Sequence, residues 1–165
     1  MRSLTKQELK KAYRILKAFN EGLIINPSED WEMDYHDEPL VDRRGLAAIL
    51  AKIEKLLPKE DLEVTKKSVL RRKYDTFNNE IDMAVYRKVE AAFNGRRTLQ
   101  IGYFRMDSAE VVKREIDVYH KTMKYVIAYC HLRNATRKFR TSRIVSAKLT
   151  NKAYVILENF DRKSY

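Results

Sequence analysis

The sequence predicts an α+β protein, a helical N-terminal region followed by a small antiparallel β-barrel or sandwich. Three observations carry that expectation. The hydrophobic period changes from helical to alternating near Gly95. Charge changes at the same place: residues 1–95 hold 18 Lys and Arg against 17 Asp and Glu, whereas residues 96–165 hold 16 against 6. Finally, no acidic residue occurs between Val118 and Leu157, a stretch that carries Lys121, Lys124, Arg133, Arg137, Lys138, Arg140, Arg143, Lys148 and Lys152. A field of one sign calls for a partner of the other sign. With 165 residues, 44% of them hydrophobic, the chain can bury a core.

The helices come first. Thr5 and Glu8 have capping-box spacing, and Leu9, Ala12, Tyr13, Leu16 and Phe19 then recur on one face, with Gly22 as the stop. A second helix is expected from Asp42, where Leu46, Ile49, Leu50, Ile53, Leu56 and Leu57 keep the helical rhythm until Pro58. A third is expected from Glu80 to Phe93, leaving at Asn94-Gly95. The intervening LEVTKKSVLRRKYDTFNN has no pattern strong enough to assign.

Beyond Gly95 the sequence alternates. TLQIGYF (98–104) and VVKREIDVY (111–119) read as strands. KYVIAYCHL (124–132) is apolar on both faces, as a central strand would be. RKFRT (137–141) and RIVSAKLT (143–150) follow, and AYVIL (153–157) is a candidate sixth strand. The chain thus divides into a helical region, 1–78, and a barrel with its leading helix, 79–165.

Several classes of function are disfavoured. The N-terminus lacks the apolar core of a signal peptide, and no apolar run is long enough to cross a bilayer, so a cytoplasmic protein is expected. The single cysteine, Cys130, lies in an apolar run, and alternation turns His131 to the other face, which argues against a Cys–His dyad. No phosphate-cradling glycine loop is present. The acidic segment Ser28–Asp42 holds seven carboxylates and His36 without metal-site spacing, and reads as a solvated loop or as a lid over the basic region. No enzyme, metal or cofactor is expected.

The basic segment itself suggests chemistry. A guanidinium offers a planar fork of donors matched to phosphate oxygens. Arg137, Arg140 and Arg143 are spaced three apart, which alternates faces on a strand unless the chain bends near Thr141-Ser142. Tyr125 and Tyr129 share one face of their strand, as do Ile127 and His131. Aromatic rings beside arginines suit single-stranded nucleic acid, whose bases stack while its phosphates pair.

The order LQIGY, REIDVY, then KYVIAYCHLRNATRKFRTSRI resembles the WYL domain, a bacterial and archaeal module, over residues 85–157. The resemblance rests on Tyr103, Tyr125, Ala128-Tyr129 and the R-x-F-R-x-x-R-I run from Arg137 to Ile144. Lys124 stands where the naming Trp is usual, Val126 replaces the Leu, and Val118 stands where the family has proline. The resemblance implies an SH3-like or Sm-like barrel that senses an anionic ligand, often nucleic acid, in transcription regulators or defence systems.

The residues nominated for ligand contact are Tyr103, Lys124, Tyr125, Tyr129, His131, Arg137, Arg140 and Arg143. The expected partner is single-stranded nucleic acid or a nucleotide-like anion. Duplex DNA is a further candidate for the N-terminal region, with Lys66, Lys67, Arg71, Arg72 and Lys73 as its only basic run, although a near-neutral region is unusual for a promoter binder. A homodimer through the Leu46–Leu57 stripe is another. The alternative to a regulator is an accessory or scaffold protein that works within a larger complex, such as a CRISPR-associated one.

Overall fold

A computed structural model describes residues 4–23, 43–75, 80–158 and 160–165, which form two compact units, Met1–Lys73 and Tyr74–Tyr165. The acidic segment Ser28–Asp42, and with it the lid reading, lies outside the described residues.

The first unit contains α1 (Lys6–Asn20), α2 (Arg43–Leu56) and α3 (Lys59–Lys73). Thr5 and Glu8 cap the start of α1 reciprocally, as their spacing predicts. Its end closes at Gly22, whose φ of +72° is a left-handed value that glycine adopts without a Cβ penalty. Tyr13 is wholly buried among Leu46, Leu50, Leu57 and Leu62, so part of the apolar stripe of α2 is taken up within its own unit, while Ile49 and Leu56 stay exposed. Helix α3 fills the segment that the sequence left unassigned. It buries only Leu62, Thr65 and Val69, and a threonine in the middle position blurs the apolar period.

The second unit opens with α4 (Met83–Asn94), which begins three residues later than its apolar pattern suggests. Asp82 sets that start by accepting hydrogen bonds from the amides of Ala84 and Val85 at 2.8 and 3.1 Å. Asp82→Ala is expected to destabilise this unit by about 1 kcal/mol, read as a lower denaturation midpoint at unchanged slope.

Five strands follow: β1 (Arg97–Arg105), β2 (Glu110–Lys121), β3 (Tyr125–Cys130), β4 (Ala135–Arg140) and β5 (Ile144–Ala153). They pair antiparallel in the order β4-β3-β2-β1-β5. The centre is therefore β2, with β3 beside it and buried on both faces, since Val126, Ala128 and Cys130 face one way and Ile127 the other. The candidate sixth strand does not form. After β5 the chain carries one further ladder-like bond, from the Tyr154 amide to the Arg96 carbonyl, and then leaves Val155 exposed with no strand beside it.

The inner face of the sheet carries Leu99, Ile116, Val118, Val126, Ala128 and Phe139, which pack with Val85, Val89 and Ala92 of α4. The sheet curls. Phe139 on β4 and Tyr103 on β1 are three strands apart, roughly 14 Å in a flat sheet, yet their rings meet edge-on at 5.1 Å. A 3-10 turn, Thr141–Arg143, joins the two edge strands and supplies the bend anticipated near Thr141-Ser142. No ladder joins β4 to β5 among the described residues.

Gly102 marks a close approach within the sheet. A Cβ there would lie 2.5 Å from Ser146 Oγ and 3.1 Å from Val111 Cγ1, so β1 is squeezed between its neighbours where the ladder to β5 changes register.

Candidate functional site

Cross-strand register decides which nominated side chains meet. Tyr125 pairs with Arg140, Ile127 with Lys138 and Tyr129 with Thr136, so these six share the outer face, away from α4. Lys138 Nζ lies 4.8 Å and Lys124 Nζ 5.5 Å from the centre of the Tyr125 ring, both in cation–π range. Lys138 also donates to the Tyr165 carbonyl at 2.8 Å. The result is an aromatic ring between two well-exposed cations, Lys124 and Lys138.

Other nominated residues are placed differently. Arg137 pairs with Ala128 and projects from the opposite face to Tyr125, at the exposed edge. Arg140 is buried; its Nε–H donates to Ser142 Oγ at 3.2 Å and its amide to the Tyr103 hydroxyl at 3.3 Å. Arg143 Nε donates to the Tyr74 carbonyl at 3.0 Å. Tyr103, Arg140 and Arg143 thus brace the turn that links the sheet edges. Lys138 was not among the residues that the sequence nominated. The signal for it is the β3–β4 register, which one strand read alone does not contain.

Farther along the outer face, Tyr129 meets His131 edge-on at 5.4 Å. His131 Nε2 lies 3.0 Å from Asp117 Oδ2, while the buried Thr98 hydroxyl donates to Asp117 Oδ1 at 2.7 Å. Asp117 pairs with Tyr129 across β2 and β3, and it supplies this face with a carboxylate that is already satisfied. Nearby, burial, then the charges of Arg162 and Lys121, holds the His120 pKa below its usual value. The hydrogen bond to Glu90 raises that of Lys121. Cys130 is completely buried on the inner face. No cluster of three potential metal ligands occurs among the described residues, and no helix among them is long and apolar enough to cross a membrane.

The helical unit is less neutral than its average suggests. Helices α1, α2 and α3 together hold 15 Lys and Arg against 5 Asp and Glu, a net of +10, while residues 21–42 hold eight carboxylates and no Lys or Arg. Near-neutrality is a sum over segregated charges. Between α1 and α3 lies a cleft lined by Lys10, Lys11, Arg14, Thr65 and Ser68. Lys10 is paired to Asp61 at 2.6 Å. The connection between α2 and α3, Leu57-Pro58, is short enough for a helix-turn-helix, unlike the long link before α2.

Comparison with known proteins bears on the second unit. Residues 84–149, less than half of the chain, match the family model of the WYL domain. Among solved structures, the chain is similar to proteasome accessory factor B/C (PafBC) of Arthrobacter aurescens, with 16% identity and a TM-score of 0.38. That similarity covers 91% of this chain but only 21% of the other, so this chain spans about a fifth of that protein. No curated protein matches. The arginine-rich motif, the leading helix and the five antiparallel strands agree with the family match, and the stretch from Ala84 to Leu149 is a WYL domain.

Proposed function

We propose that this protein is a non-enzymatic regulator whose WYL domain binds single-stranded nucleic acid or a nucleotide-like anion on the outer face of β3 and β4. The observation that carries the reading is the Tyr125 ring flanked by Lys124 and Lys138, with Arg140 opposite on the same face. A base stacks on the ring, and the displaced ammonium groups turn to the flanking phosphates. Tyr129 and His131 extend the platform along the strand. The curled sheet serves as a small SH3-like or Sm-like barrel, with the turn at Thr141–Arg143 holding its edges.

A second reading concerns the helical unit. The α1–α3 cleft and the basic helices favour a duplex phosphate backbone as partner, which fits transcriptional or defence-system regulation. In the accessory alternative, the same helices dock on a larger complex.

Fluorescence anisotropy of the intact chain with labelled single-stranded DNA, single-stranded RNA and duplex DNA, across a salt series, tests the proposal. Single strands are expected to bind more tightly than duplex. Lys124→Ala is expected to make the salt slope shallower by about 0.7, one phosphate contact on a single strand. Weak and equal binding of all three polymers, with Lys124→Ala indistinguishable from wild type, would sink it.

A further inference from the structure

The outer face does not account for Arg114. Arg114 faces Ile101 across the β1–β2 ladder, in the same alternation as Ile116 and Val118, so it points to the inner side among apolar residues. It is only 7% exposed. Its Nε–H is buried without a hydrogen-bond partner, and its Nη1 has only the Cys130 sulfur at 3.6 Å, a weak acceptor. Among the described residues no carboxylate pairs with it. Its sequence neighbour Glu115 lies on the other phase of the strand, bound to Lys152, and Asp117 is held by Thr98 and His131.

A buried cation without a counter-charge opposes folding, because the lost hydration is not replaced. Hydrophobic residues of similar volume would fill the position at lower cost. A guanidinium that keeps Nε–H unengaged beside Nη presents the edge that takes two oxygens of one group. Arg114 is also seven residues along β2 from Lys121, which meets Glu90 and Tyr86 of α4. That is roughly 20 Å of strand, so Arg114 lies toward the end of the inner face remote from that contact.

We propose that Arg114 is the anchor of a second anion site, on the inner face of the sheet, that takes a single bidentate oxyanion, a phosphoryl or a carboxylate group. The site is separate from the outer face, and neither reading depends on the other. Occupancy supplies the missing counter-charge. It therefore couples a small anion to the stability of the sheet, because a ligand that binds only the folded state stabilises it by mass action.

Isothermal titration calorimetry of the intact chain with inorganic phosphate and, separately, with acetate tests the site, with chloride at matched ionic strength as the control. Wild type is expected to bind one of them at one site per chain, and its melting temperature to rise on the order of 10 °C at a hundredfold excess over Kd. Tighter binding of phosphate assigns a phosphoryl ligand, and of acetate a carboxylate ligand. Arg114→Met is expected to lose the binding while melting no lower than wild type in chloride. Arg114→Lys keeps the charge without the fork, and is expected to bind at least tenfold more weakly; it carries the test if the Met variant does not fold. Phosphate and acetate heats no larger than that of chloride would overturn the proposal, as would unchanged binding in whichever of these variants folds. Tyr125→Ala leaves this site intact, so loss of oligonucleotide binding and loss of phosphate binding separate the two faces.

Discussion

Tyr125→Ala is expected to weaken binding of a single-stranded oligonucleotide by roughly 5- to 150-fold, corresponding to one base stacked on an aromatic ring at about 1–3 kcal/mol. The effect arises from geometry rather than charge. Removal of the ring leaves Lys124 and Lys138 in place, so the salt slope is expected to stay near that of wild type while the whole affinity line drops. Tyr125→Phe, which keeps the ring face, is expected to retain most of the affinity. Tyr125 is half-buried, so the alanine variant is checked by its melting temperature before its affinity is compared. Unchanged affinity in a folded Tyr125→Ala protein would remove the stacking platform from the account. This substitution is also more informative than a change at Arg140 or Arg143. Those two side chains brace the turn between β4 and β5, so their loss would confuse binding with folding.

Phe139→Ala is expected to destabilise the second unit by roughly 3–5 kcal/mol, the usual cost of deleting a buried aromatic ring. Phe139 is 3% exposed and sits where the curl brings β4 over β1. Its loss opens a cavity beneath Tyr103 and leaves the edge strand with less to hold it. Because the chain has two units, one denaturation curve is not a clean measure. Amide hydrogen exchange resolves the effect by segment. Amides of β3 and β4 are expected to exchange faster in the variant, while those of α1, shielded by the separate core around Tyr13, stay near wild type. Uniform acceleration through both units would show that they share stability, and no change would place Phe139 outside the core.

Much of this fold was legible because its periods are clean. Thr5 with Glu8 announced α1, and the alternation from Thr98 onward announced the sheet. Helix α3 was hidden because a threonine holds one of its three buried positions and six cations crowd its surface. The start of α4 was misplaced because the capping signal is a single aspartate, Asp82, preceded by Ile81, which continues the apolar pattern of the helix. For the site, sequence located the strand and the basic segment but could not choose between neighbours in it. Whether Arg137 or Lys138 stands beside Tyr125 depends on the β3–β4 register, a property of two strands. Arg114 was readable in principle, since it shares the phase of Ile116 and Val118. Its meaning depends on the missing counter-charge, which only three dimensions show. The charge of the first unit was obscured differently, by an average that merged basic helices with an acidic connector.

Strand β4 has one further consequence. It is an edge of the sheet, and its six residues, Ala135–Arg140, include Arg137, Lys138 and Arg140. An uncovered edge offers its peptide groups as a template for another chain's strand, the first step toward aggregation. Three cations on so short an edge repel a second copy bearing the same three. Arg137, turned away from Tyr125 and exposed, serves this purpose without touching the proposed ligand. The charge to which we assign the attraction of a polyanion thus has a second effect, opposing the addition of strands from another copy.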